Sequence, residues 1–177
     1  MGISFTKTEI SGNPALKYVN EYIPENSGTS NFSIKGTEPL DFSKGALLLS
    51  YDVTPQSNLT WLGDGAKSNI LIPTLRIGST EISQLSIIEH GGIKAAYKTA
   101  PTAWGRSAYL TGWENNTLVA DTTVKFQLLL EKEGNKITAT QYINEKPVYY
   151  TLSDEAKLAS VTVDITEEEL AKEWTLT

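Results

Sequence analysis

Along this chain, apolar and polar residues alternate with a period of two over several short runs. That period belongs to strands with one buried face. The clearest run is Val124–Val148, where Val124, Phe126, Leu128 and Leu130 alternate with Lys125, Gln127, Leu129 and Glu131. Glu133-Gly134-Asn135 then supplies a turn, because Gly and Asn accept positive φ at small steric cost. On the return, Ile137, Ala139, Gln141 and Ile143 share one face, and Lys136, Thr138, Thr140 and Tyr142 the other. The pattern predicts a long antiparallel hairpin resting on a core.

The same reading extends along the chain. Ile3 and Phe5, separated by polar residues, predict an edge strand, and Ser11-Gly12-Asn13-Pro14 a turn. Ala15–Val19 and Asn31–Lys35 are short strands on either side of a Pro-, Asn- and Gly-bearing loop at Tyr22–Ser30. Ala46–Val53 is apolar on both sides for its first half, which predicts a central strand of a two-layer structure. Thr54–Asn69 is a loop with Pro55, Gly63 and Gly65, and Ile70–Ile77 a strand interrupted at Pro73, which cannot donate to a ladder. Ile82–His90 and Ile93–Lys98 flank a Gly91-Gly92 turn. Ala100–Asn116 is irregular and aromatic.

After the long hairpin, Ser153–Ala156 reads as a helical turn capped by Ser153. Leu158–Ile165 alternates again, with Ala159, Val161, Val163 and Ile165 on one face. Thr166-Glu167-Glu168-Glu169 matches a capping box, with the Thr166 hydroxyl on the Glu169 amide and Glu169 reaching back. Leu170 and Trp174, four apart, would dock the short C-terminal helix it opens. About nine or ten short strands with turns between them predict an all-β fold, a two-sheet antiparallel β-sandwich ending in a short helix. Neither repeat nor linker divides residues 1–177, so a single domain is expected.

Composition narrows the function classes more than it names one. Forty per cent apolar and 20% charged residues over 177 positions suit a folded domain with a sizeable core. The absence of Cys removes disulfides, thiolate metal sites and Cys nucleophiles. A net charge of −6 argues against nucleic acid and anionic membranes, whose phosphates need a basic face. No apolar run reaches the roughly 20 residues of a membrane-spanning helix. Met1–Ser11 lacks the basic start and apolar core of a secretory leader.

Three segments carry a resemblance to a known superfamily. Asn13–Tyr18 is similar to the early strand of the concanavalin A-like jelly roll in its laminin-G-like or bacterial glycan-binding versions. Gly45–Thr54, closed by Pro55, resembles its strand with an aromatic and an acidic residue before a Pro. Val124–Val148 is like its late hairpin ending in a Tyr-x-Asn-Gly-like turn; here Tyr142-Ile143-Asn144-Glu145 has Glu145 where Gly is expected. A galactose-binding-like jelly roll would give much the same pattern. The hydrolases of this superfamily carry a Glu-x-Asp-x-x-Glu triplet on one strand, and none occurs here, so the resemblance implies a binding relative rather than an enzyme.

Candidate chemistry follows from the side chains. His90 is the sole histidine, so a Ser-His-Asp arrangement must use it; at a Gly91-Gly92 turn it reads as structural, with Glu89 on the opposite face. No pair among Glu81, Glu89, Glu114 and Asp121 is set on one face for glycoside hydrolysis. Gly63-Asp64-Gly65 with Asn58 offers oxygen ligands to Ca²⁺ through Asp64, or is only a turn. Calcium is common among the proteins the sequence resembles; otherwise no cofactor is implied.

The aromatic loops are the strongest signal. Trp61, Trp104, Tyr109 and Trp113 offer planar faces on which sugar C–H surfaces stack, and Arg106, Asn115 and Asn116 stand beside them as hydrogen-bonding partners for hydroxyls. Alternatively, these rings fold inward and plug one end of the sandwich. The expectation is a non-catalytic, lectin-like carbohydrate-binding module that takes a glycan or polysaccharide. It would be an appendage of a larger extracellular or cell-surface protein, with neighbouring domains as partners and without membrane insertion. The alternatives are a structural or adhesion domain that self-associates or binds proteins, and a glycan-cleaving enzyme. Asn31, Asn58 and Asn115 open Asn-x-Ser/Thr triplets, acceptors in a eukaryotic secretory setting.

Overall fold

The computed structural model describes residues 3–10, 12–20, 33–58, 71–84, 87–96, 98–100, 103–104 and 108–177. The chain forms two compact units, residues 1–32 and 33–177. In the first, β1 (Ile3–Ile10) and β2 (Asn13–Asn20) pair antiparallel from Ile3 opposite Asn20 to Ile10 opposite Asn13. Gly12, at φ 79°, turns the chain between them.

The second unit is all-β with one short helix. In chain order it contains β3 (Ile34–Lys35), β4 (Leu47–Val53), β5 (Thr74–Ile77), β6 (Thr80–Gln84), β7 (Ile87–Glu89) and β8 (Gly92–Ala95). Next come β9 (Lys98–Ala100), β10 (Ala103–Trp104), β11 (Ala108–Tyr109), β12 (Val124–Glu133), β13 (Lys136–Ile143) and β14 (Lys146–Pro147). The chain closes with β15 (Tyr149–Leu152), β16 (Glu155–Leu158), β17 (Ser160–Asp164), α1 (Glu167–Leu170) and β18 (Trp174–Leu176).

One layer is the sheet β4-β12-β13, with both β14 and β17 on the far side of β13. Facing it are β3-β18-β5-β6 and β11-β8-β7. Apolar side chains meet between the layers in two clusters. Leu75, Ile77 and Ile82 pack with Leu128, Leu130, Ile137, Val161 and Val163, and Ile88, Ile93 and Leu110 pack with Val124, Phe126, Ile143 and Ala159. Tyr51 touches both, its ring stacked on Phe126 at 5.3 Å. Its hydroxyl is buried without a partner among the described residues, and burial pushes the phenol's pKa far up.

The β12–β13 hairpin follows the alternation of its sequence. Val124, Phe126, Leu128 and Leu130 are buried, and Ile137, Ala139, Gln141 and Ile143 lie opposite on the same face. Four expectations are corrected. Ala46–Val53 is not central: among the described residues β4 pairs only with β12, and Leu48 on its outer side is 57% exposed. Ser153–Ala156 is not helical; Ser153 and Asp154 take φ of 52° and 64° and form the two-residue turn of the β15–β16 hairpin, with Leu152 opposite Glu155. Trp174 lies on β18 rather than on the helix, and pairs with Ile77. The turn expected at Gly91-Gly92 is made by His90 and Gly91, at φ of 54° and 70°, while Gly92 pairs with Glu89.

The capping box forms by half. The Thr166 hydroxyl accepts from the Glu169 amide at 3.1 Å as expected. The Glu169 carboxylate, however, reaches the β5–β6 turn, accepting from the Ser79 amide, the Ser79 hydroxyl at 2.9 Å and the Thr80 amide at 3.2 Å. Lys172 Nζ lies 2.6 Å from its other oxygen. The Lys172 ammonium first, and then the Ser79 donors, hold its pKa at about 2 against an ordinary 4.5. A carboxyl with a lowered folded-state pKa stabilises the fold above its unfolded pKa and loses that contribution as pH falls toward the folded one. Stability should therefore fall between pH 4.5 and 2 more steeply in the parent than in Glu169→Gln. Urea titrations across that range check this; parallel curves would contradict it.

Candidate functional site

The end of the long hairpin builds one wall of a cleft. Asn144 and Glu145 occupy the two-residue turn between β13 and β14, at φ of 49° and 67°. Asn tolerates that region and Glu does so at a cost, so other contacts must hold the turn. They come from β12. Asn144 N donates to Lys125 O at 2.9 Å, Lys125 N donates to Asn144 Oδ1 at 3.0 Å, and Glu145 N donates to Gln127 Oε1 at 3.0 Å. Lys125 Nζ lies 3.0 Å from the Glu145 carboxylate, and that contact raises the Lys125 pKa.

The opposite wall is the segment after β11. Trp113 N donates to Leu110 O at 2.9 Å, Ile93 N donates to Trp113 O at 2.8 Å, and Thr111 N donates to Tyr149 O at 2.7 Å. Together these bonds tie residues 111–113 to β8 and β15. The half-buried Trp113 ring packs against the second core cluster. Between the walls is an open cleft of about 570 Å³, lined chiefly by Thr111, Trp113, Asn144, Lys146, Pro147 and Tyr149. Tyr149 is 45% exposed, and Ile143 and Val148 supply an apolar floor.

The lining is specific in its chemistry. Two aromatic rings and a Pro give flat apolar surface. Among the described residues, the indole N–H of Trp113, the hydroxyls of Thr111 and Tyr149, the Asn144 NH₂ and the Lys146 ammonium have no hydrogen-bond partner.

A second polar group lies on β7, β8 and their turn. Glu89 pairs with Lys94 at 3.0 Å, and its other oxygen is 3.7 Å from His90 Nε2. The two side chains are therefore not on opposite faces as expected, because His90 sits in the turn at positive φ rather than in the strand. Tyr109 OH lies 3.4 Å from His90 Nδ1, and Lys94 Nζ stands 4.6 Å from the Tyr109 ring centroid. Burial, then the Glu89 charge, raises the Tyr109 pKa. This compact charge pair and cation–π contact braces the sheet.

Of the residues expected to bind, Trp113 lines the cleft and Tyr109 belongs to the Glu89–Lys94 group. Asn115 and Asn116 are exposed beside it without lining it, and Asn116 N donates to His90 O at 3.2 Å. Trp61, Asp64 and Arg106 lie outside the described residues, and of Trp104 only the backbone, on β10, is described. Thr111, Asn144, Lys146 and Tyr149 also line the cleft and are not among the residues expected to bind. The signal was in the Asn144-Glu145 turn, which places its flanking residues at a sheet end beside Trp113. Asn58 Oδ1 accepts from Ala120 N at 2.8 Å, a structural use of that acceptor triplet. Among the described residues no group of three His, Cys, Asp or Glu could hold a metal, and no helix is long and apolar enough to cross a membrane.

Compared with known proteins, the chain matches no family model, no curated protein and no solved structure.

Proposed function

We propose that the second unit is a non-catalytic, lectin-like carbohydrate-binding module, and that the Trp113–Tyr149 cleft is its glycan site. The observation that carries this is the pairing of two aromatic rings with polar groups that have no partner among the described residues, on one open, rigidly braced cleft. Sugar rings offer apolar C–H faces and hydroxyl edges together, and this lining matches both. The sandwich is then a concanavalin A-like jelly roll, as the sequence resemblance implies. The module would belong to a larger extracellular or surface protein, since an open cleft suits a polymer passing through it.

The test is a glycan array probed with the parent, Trp113→Ala and Tyr149→Ala. The parent should bind a subset of saccharides, and loss of either ring should weaken that binding about tenfold. A parent that binds no saccharide, or variants that bind as the parent does, would overturn the proposal.

A further inference from the structure

The charges around the cleft are distributed unevenly. Among the described residues that line it, Lys146 is the only charged one. It is exposed, and among the described residues its ammonium has neither ion pair nor hydrogen bond. Of the carboxylates next in sequence to lining residues, two are ion-paired and the third is hydrogen-bonded to a backbone amide of the cleft wall. Glu145 is paired with Lys125 at 3.0 Å, Glu155 with Lys157 at 3.6 Å, and Glu114 accepts from the Gly112 amide at 3.0 Å. In a chain of net charge −6, the cleft thus presents one cation, Lys146, without an ion-pair partner among the described residues.

Its hydrogen-bonding character points the same way. Sugar hydroxyls donate as well as accept, and a site for neutral sugars needs strong acceptors for them. Among the described residues this lining has no carboxylate, and its one side-chain amide oxygen, Asn144 Oδ1, already accepts from Lys125 N at 3.0 Å. What remains is three groups that only donate, the Lys146 ammonium, the Asn144 NH₂ and the Trp113 indole N–H, and two hydroxyls, of Thr111 and Tyr149, that can donate or accept. A group that only accepts satisfies such a lining best, and a carboxylate on a sugar ring is one.

We infer that the cleft selects acidic saccharides, with a uronate carboxylate on Lys146 and Asn144 and the sugar ring over Trp113 or Tyr149. This inference rests on the glycan-binding reading above and names its ligand class. The probe pair that tests it is tetragalacturonate and its fully methyl-esterified form, alike in length and linkage and different in charge. Titration calorimetry is run at low and moderate salt with the parent, Lys146→Met and Trp113→Ala.

The parent should prefer the acid, and salt should weaken that preference. Lys146→Met should lose the preference, about tenfold for one charge-assisted hydrogen bond, while its weaker binding of the ester persists. Trp113→Ala should weaken both. Lys146 is exposed on a two-residue strand, so the fold should tolerate its replacement, and an unchanged melting curve confirms that. Equal binding of acid and ester by the parent, or an acid preference that survives Lys146→Met, overturns the charge selection and leaves the glycan site standing. Binding of neither probe, with an array also blank for neutral and acidic members, overturns both.

Discussion

Phe126→Ala should destabilise the second unit by about 3–5 kcal/mol, the range for truncating a large buried aromatic. Phe126 is 1% exposed, stacks on Tyr51 at 5.3 Å and lies opposite both Tyr51 and Ile143 in the sheet. Its removal strips contacts from a ring whose hydroxyl already lacks a partner, and the rigid sheet can close only part of the void. Because Ile143 forms part of the cleft floor, affinity for any ligand there should fall along with stability. Chemical denaturation measures the first effect. A loss below about 1 kcal/mol would mean that the site collapses around the smaller side chain.

The second large effect is expected at Gly92. A Cβ there would lie 2.5 Å from the backbone oxygen of Glu114 and 2.8 Å from Tyr109 Cε1. A flexible side chain could step aside, but this oxygen sits in a segment bonded on both sides to the β7–β8 hairpin. Trp113 O accepts from Ile93 N at 2.8 Å, and Thr117 N and Leu118 N both donate to Gly91 O at 2.9 Å. Gly92→Ala should therefore cost about 1–3 kcal/mol, as overpacking does, and displace the segment that carries Trp113. Denaturation midpoints and Trp fluorescence report the two consequences. An unchanged fluorescence spectrum with unchanged stability would show that the segment moves more freely than its bonds imply.

What could be read in advance divides along physical lines. β12, β13 and β17 were legible because a period of two places Val124–Leu130, Ile137–Ile143 and Val161–Ile165 on one buried face. Ser153-Asp154 was misread because Ser before acidic residues resembles a helix cap, while the hairpin turn it makes sets two non-Gly residues at positive φ. Ala46–Val53 looked central because Leu48 is apolar, yet only its alternate residues Leu47, Leu49, Tyr51 and Val53 turn inward. Of the cleft, Trp113 stood out as an aromatic in an irregular stretch. Tyr149 and Lys146 did not, since their nearness to Trp113 comes from the Leu110–Tyr150 bridge, a contact between segments forty residues apart.

The bonds that fasten Thr111 and Trp113 to β15 and β8, and Asn144 and Glu145 to β12, have a thermodynamic consequence for recognition. Both walls are ordered before any ligand arrives. Complex formation would then carry little of the entropy loss that accompanies the freezing of a mobile loop. Discrimination would rest on the shape and charge of the guest, because the receptor has little freedom to adapt to a poor fit.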